Sequence, residues 1–200
     1  MTTKAETPRE VYTILLLGDQ RAGKTHFFNE LNETPNYNKH SSFMMPATYV
    51  TTTNMDLCRF NYNIRGRNFH INLWDTPGSS AYHQLIARFM TQSFNMIIIM
   101  FTADKIANVS YWIEFINNQH LSYTPTVVLI ENGLVLNNHK YSQHQSPDTL
   151  LAKYPYLKYS INLSGQSSYI LKNIIEEASI NTQHMPHLCC NDRKNNRCCF

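Results

Sequence analysis

The sequence predicts an α/β fold: a single domain on a mostly parallel six-stranded sheet, with helices on both faces. Three observations carry this reading. Apolar, β-branched runs alternate with stretches of helical spacing along the chain. The run Met96 to Phe101 is apolar throughout, as a strand covered on both sides must be. The chain has 200 residues and is 42% apolar, which suits one real core plus short tails.

The elements follow in order. Residues 1–10 read as a flexible arm and residues 11–180 as the domain. Val11 to Leu17 is the first strand, and His26 to Leu31 has helical character. Asn32 to Pro46 is polar and holds Pro35, so it reads as a long loop. Thr52 to Tyr62 is β-branched and aromatic, a strand signal. Asn63 to Asn68 is a turn and Phe69 to Trp74 alternates again, so the pair forms a hairpin. Tyr82 to Gln92 is a helix with Leu85, Ile86, Phe89 and Met90 on one face. After the strand Met96 to Phe101 comes the helix Val109 to Gln119, carrying Trp112, Ile113 and Ile116. Thr126 to Ile130 is another strand, and Pro147 opens a helix from Asp148 to Tyr154. Leu157 to Leu163 is the last strand and Ser168 to Ile180 the last helix. Residues 181–200 show no periodicity and read as a flexible tail.

Bulk properties exclude some classes. A net charge of +3 is too small to argue for nucleic acid, and none is expected as a partner. No apolar run approaches the ~18 residues of a membrane span. The N-terminal residues lack an apolar h-region, so no secretory signal is expected. Of five cysteines only Cys58 lies in the domain; the others crowd the tail. A disulfide scaffold would spread them through the fold, so a reducing cytosol is expected.

Chemistry concentrates at residues 18–25, Gly18-Asp19-Gln20-Arg21-Ala22-Gly23-Lys24-Thr25. This is G-x-x-x-x-G-K-[ST], set between a strand and a helix. Such a loop converges its backbone N–H groups on phosphate oxygens, and the helix N-terminus favours the same anion. Gly18 and Gly23 permit the tight turn. Lys24 adds a point charge between phosphates, and the Thr25 hydroxyl suits Mg²⁺. The alternative, an ordinary glycine-bearing turn, fits the strand–loop–helix setting poorly. Downstream, Trp74-Asp75-Thr76-Pro77-Gly78 ends a strand in D-x-x-G. A carboxylate there can hold the cation or one of its waters. Gly78 can offer its backbone N–H to a terminal phosphate. Alone, this stretch reads as a strand-ending Asp before a Pro-Gly turn.

Taken together, these motifs resemble the small GTPases of the Ras superfamily, and the Rab branch most closely. The resemblance covers nearly the whole chain from Val11 onward. It implies GTP/GDP and Mg²⁺ as ligands. Counting back from Asp75, Gly66 falls on the family's hairpin glycine, and Thr52 to Leu57 on the Rab stretch Thr-Ile-Gly-Val-Asp-Phe. The resemblance thus makes Thr52 the switch threonine, Asp56 the acidic position, and Thr25, Thr52 and Asp75 the metal-holding set. Trp112 falls near the family's helix tryptophan. Thr51 and Thr53 flank Thr52, and the competing reading of Thr52 is a solvent-facing strand residue.

Departures from the family carry equal weight. The glutamine that orients the attacking water is Ser79 here, followed by Ser80. Serine is too short for that role, so no catalytic residue is assigned and hydrolysis slower than in the family is expected. Pro77 stiffens the same segment, and Gln20, in place of the family's small residue, would crowd an incoming arginine finger. The base-reading Asn-Lys-x-Asp becomes Asn132-Gly133-Leu134-Val135. Val135 accepts no hydrogen bond, so discrimination for guanine should fall. Ser164-Gly165-Gln166 is the best match to the family's Ser-Ala-Lys, which makes Ser164 and Gly165 nucleotide-contact candidates beside Asn132. Weak GTP binding, broader nucleotide use and no binding all remain open from sequence. The stretch from Lys24 to Thr52 is also longer than in a typical Rab, either as a partner surface or as a tolerated insertion.

The chain ends Arg197-Cys198-Cys199-Phe200. This resembles the paired-cysteine end of Rab proteins, which implies prenylation at Cys198 and Cys199. Two lipid chains anchor stably where one does not. The rival is a zinc site using Cys189, Cys190, Cys198 and Cys199 with His184 or His187; adjacent cysteine pairs chelate poorly. The resemblance therefore implies a monomeric switch in vesicle traffic on the cytoplasmic face of intracellular membranes. Effectors and regulators would read its switch loops, with Leu57, Phe60 and Trp74 nearby. The main rival is a pseudo-GTPase, a binding scaffold without catalysis. An ATP-using P-loop enzyme is the third reading, and no lid-like arginine cluster supports it.

Overall fold

In the computed structural model the residues described are 9–32, 50–132, 156–161 and 167–183. β1 (Arg9–Leu17) leads into α1 (Lys24–Asn32). β2 (Asp56–Ile64) and β3 (Arg67–Asp75) form an antiparallel hairpin. A 3-10 turn, Ser80–Tyr82, precedes α2 (His83–Phe89), followed by β4 (Met96–Thr102). A second 3-10 turn, Ala103–Lys105, precedes α3 (Asn108–Asn117). β5 (Thr126–Asn132), β6 (Tyr156–Ile161) and α4 (Ser167–Gln183) complete the chain.

The sheet has six strands in the order β2-β3-β1-β4-β5-β6, and every pairing except β2 with β3 is parallel. Side-chain alternation divides the core. Ile14, Leu16, Ile98 and Met100 face α1 and α4, where they meet Phe27, Leu31, Leu171, Ile174 and Ile175. Leu15, Leu17, Ile97 and Ile99 face α2 and α3, where they meet Ile86, Trp112, Ile113 and Ile116. Central strands covered on both faces must be apolar at every position, which is why β4 carries no clean alternation of polarity. β1 pairs with β3 on one side and β4 on the other. The loop leaving β1 therefore opens at a topological switch point, where such sheets bind ligands.

Three expectations need correction. The strand expected over Thr52 to Tyr62 begins at Asp56 and runs to Ile64. Asp56 pairs with Asp75, the last residue of β3, so residues before Asp56 have no strand to pair with. The turn expected over Asn63 to Asn68 shrinks to Arg65-Gly66, with φ of 49° and 79°. Two left-handed residues match the twist of the flanking strands, so the hairpin closes tightly and both strands lengthen. The helix expected over Tyr82 to Gln92 is shorter, and its first turn is 3-10. The expected loop at 33–46, the helix at 148–154 and the C-terminal tail beyond 183 lie outside the described residues.

Candidate functional site

β1 ends at Leu17, and Gly18 turns the chain at φ 136°. A Cβ on Gly18 would lie 2.1 Å from the Met100 carbonyl oxygen of β4, so no other residue fits. Arg21 and Gly23 also hold positive φ, 65° and 97°. The loop closes with Ala22 N–H on the Asp19 carbonyl (3.3 Å), and Phe27 N–H on the Gly23 carbonyl (2.9 Å) continues into α1. Lys24 folds back over it. Its Nζ donates to the carbonyls of Gly18 (2.7 Å) and Asp19 (2.8 Å). The side chain is only 5% exposed. Burial pushes its pKa down to about 8; Asp75 and Asp19 resist that fall and Lys105 adds to it.

Three oxygens meet beside Lys24. Thr25 Oγ1 donates to Asp75 Oδ2 at 2.6 Å and lies 2.8 Å from Thr52 Oγ1. With the Thr25 proton directed at Asp75, Thr52 is the donor of the second bond. Thr51 and Thr53 are exposed and Thr52 is half-buried, so of the three threonines it is Thr52 that turns toward Thr25. Asp75 is fully buried, and its Oδ1 has no hydrogen-bond partner. Burial raises its pKa above the usual carboxylate range; Thr25, Lys24 and the Thr76 amide oppose the rise, and Asp56 adds to it. An all-oxygen set with one unpartnered buried carboxylate oxygen suits a hard cation such as Mg²⁺.

Gly78 lies against the phosphate loop. A Cβ there would come within 2.4 Å of Gln20 N and 2.5 Å of Asp19 C. Thr76 Oγ1 anchors the same segment by donating to the Leu16 carbonyl at 2.6 Å. Ser79 begins the 3-10 turn through its carbonyl, which accepts from Tyr82 N–H at 3.0 Å. Its hydroxyl makes no capping bond.

Sequence reasoning missed Lys105 and Asn108, and the part that Trp112 and Asn132 play in bracing this loop. Asp19 Oδ2 accepts from Asn108 Nδ2 (2.5 Å) and Asp19 Oδ1 from Trp112 Nε1 (3.0 Å). Lys105 Nζ donates to the Gln20 carbonyl at 3.3 Å. Asn132 Nδ2 donates to the Ala22 carbonyl at 3.2 Å from the end of β5. The Asn132 amide thus supports the phosphate loop. The signal for Trp112 was its N–H on an otherwise apolar helix face, since a buried indole needs an acceptor. Ser164, Gly165, Gly133, Val135, Cys198 and Cys199 lie outside the described residues.

Residues 13–134 match the family described as Roc, the Ras of Complex domain of DAPkinase. The chain belongs to that family of Ras-like GTPase domains. Within it the protein is a divergent, Rab-like member of the Ras superfamily. Mouse Rab-44 is 26% identical over 61% of this chain and 12% of its own length. RabG2 of Dictyostelium discoideum is 28% identical over 52% of this chain and 50% of its own. Mouse Rab-27A is 22% identical over a longer stretch, 81% of this chain and 76% of its own. The chain therefore spans half or less of the full length of Rab-44 and RabG2. In this Ras-like domain Lys24, Thr25 and Asp75 come together where β1 and β3 end.

Proposed function

We propose that this Rab-like domain is a GTP-binding molecular switch with weak intrinsic hydrolysis, acting in membrane traffic. The observation that carries the reading is the convergence of Thr25, Thr52 and the Asp75 carboxylate, with its unpartnered Oδ1, beside Lys24. Lys24 and the backbone amides of residues 19–25 hold the phosphates. Thr25 and Thr52 hold Mg²⁺ through their hydroxyls, with Asp75 in support. Mg²⁺, when bound, neutralises charge on the phosphate oxygens it touches. Thr52 and Gly78 belong to two separate segments packed on one loop, so a terminal phosphate orders both, and effectors read the result. Leu57, Phe60 and Trp74 form part of that partner surface. Ser79 in place of glutamine keeps the triphosphate form long-lived. Prenyl groups on Cys198 and Cys199 hold the monomer at the cytoplasmic face of intracellular membranes.

The rival reading, a scaffold without catalysis, is supported by Ser79 and by Gly133 and Val135 in place of the base-reading lysine and aspartate. Asn132, the surviving residue of the base-reading motif, turns its amide to the Ala22 carbonyl. Releasing and quantifying nucleotide from the purified protein by chromatography decides between them. One guanine nucleotide per chain supports the switch. An empty protein supports the scaffold, and adenine nucleotide supports an ATP-using enzyme.

A further inference from the structure

The start of α3 reaches the phosphate loop with three polar groups. Asn108 and Trp112 take both carboxylate oxygens of Asp19. Lys105, in the preceding 3-10 turn, donates to the Gln20 carbonyl. That carbonyl belongs to the residue whose amide lies against Gly78. The Lys105 ammonium thus lies on the loop residue that Gly78 packs against. At 3.3 Å its bond to Gln20 is long, and among the described residues no other protein acceptor takes its remaining N–H groups. Asp19, the carboxylate of the same loop, is already engaged on both oxygens by Asn108 and Trp112. Across the same loop Lys24 donates to Gly18 and Asp19, and the two ammonium charges oppose each other. Two cations held on consecutive carbonyls of one glycine-bearing loop call for an anion between them.

We propose that Lys105 is a second phosphate-facing cation, recruited by the terminal phosphate, and that it makes the site prefer nucleoside triphosphate over diphosphate. This rests on the nucleotide-binding reading above. A diphosphate is held by Lys24 and the loop amides. A third phosphate extends toward Gly78 and Gln20, within the reach of a lysine side chain anchored at that lip. Lys105 acts by charge and is a specificity-determining residue. It also lies on the domain itself, so its contribution needs no partner protein.

The test is the ratio of two affinities. Fluorescent GDP and a fluorescent non-hydrolysable GTP analogue are titrated into nucleotide-free protein with Mg²⁺, for the native chain, Lys105→Met and Lys105→Arg. A charge-assisted contact is expected to be worth about tenfold in affinity for the triphosphate analogue. GDP affinity should change less than about twofold, and Lys105→Arg should keep the native ratio. Equal losses for both nucleotides would show that Lys105 merely props up Gln20 and would overturn the proposal. An unchanged ratio overturns it as well. Failure of the native chain to bind either nucleotide overturns the underlying reading and this proposal together. Thermal melting of each nucleotide-free variant checks the fold, and Lys105→Gln replaces Lys105→Met if the latter does not fold.

Discussion

The hydroxyls of Thr25 and Thr52 lie 2.8 Å apart although 27 residues separate them in the chain. One sits in the first turn of α1 and the other in the segment before β2. The bond ties the segment before the edge strand to the phosphate loop. Removing Thr52 should therefore affect the triphosphate state selectively. Thr52→Ala is expected to weaken Mg²⁺-dependent binding of a GTP analogue about tenfold while GDP binding holds. Thr51→Ala, an exposed neighbour, should match the native protein. Equal behaviour of the two variants in a titration would refute the assignment.

Asp75 carries charge at a stability cost. Its carboxyl is fully buried, and burial holds its pKa above the ordinary carboxylate value. The folded state therefore binds its proton more readily than the unfolded state does. Its ionised form is destabilising at neutral pH, and this effect shrinks as pH falls through the raised value. Asp75→Asn should raise the melting temperature of the nucleotide-free protein, because the amide removes the buried charge. The same variant should lose the stabilisation that Mg²⁺ with nucleotide gives the native protein. Melting curves at neutral pH, with and without Mg²⁺ and nucleotide, measure both effects.

Lys24 predicts proton uptake on binding. Burial sets its pKa at about 8 in the ligand-free site. Phosphate next to it favours the charged form and raises that value. At pH 6.5 the lysine is charged before and after binding, so little proton exchange is expected. At pH 9 most of it is neutral before binding, and uptake should approach one proton per nucleotide. Calorimetry in buffers of different ionisation enthalpy reads this directly. Uptake that stays flat between the two conditions contradicts the assignment.

Gly78 and Gly66 separate contact from strain. A methyl on Gly78 meets the backbone of Asp19 and Gln20, which cannot move aside as a flexible side chain can. Overpacking of this kind costs about 1–3 kcal/mol and displaces the segment from the phosphate loop. Gly78→Ala should thus lower both melting temperature and triphosphate affinity. Gly66 has open space around it and a φ of 79°. Gly66→Ala should lower stability by about 1 kcal/mol through backbone strain alone and leave nucleotide affinity intact.

Ser79 predicts a gain of function. Its hydroxyl makes no capping bond in the turn it begins, so a longer side chain replaces no such bond. Ser79→Gln should speed single-turnover GTP hydrolysis, because an amide at this position can orient the attacking water. Hydrolysis by the native protein at a rate ordinary for Rab GTPases, without a partner, would sink the claim that Ser79 makes it slow.

The phosphate loop was legible because its chemistry is local. Glycines, lysine and threonine at fixed offsets between a strand and a helix are read from eight consecutive residues. The alternating elements were legible for the same reason, and all six strands appear in the sheet. Thr52 was a harder case. Three threonines in a row present the same chemistry, and only exposure in the fold separates the middle one from its neighbours. Its local structure was misread as strand, because β-branched composition says nothing about where the partner strand ends.

The sequence alone determined the sheet, its order of elements and the identity of the phosphate-binding loop, since backbone geometry and hydrophobic period act over a few residues. Tertiary structure alone decided what holds that loop in place. Asp19 meets Trp112 across 93 positions, Gln20 meets Lys105 across 85, and Ala22 meets Asn132 across 110. Such contacts arise where parallel strands deliver distant segments to the carboxyl end of the sheet. Beyond the indole N–H of Trp112 no local pattern marks them, because each partner satisfies its neighbour only after the sheet has assembled.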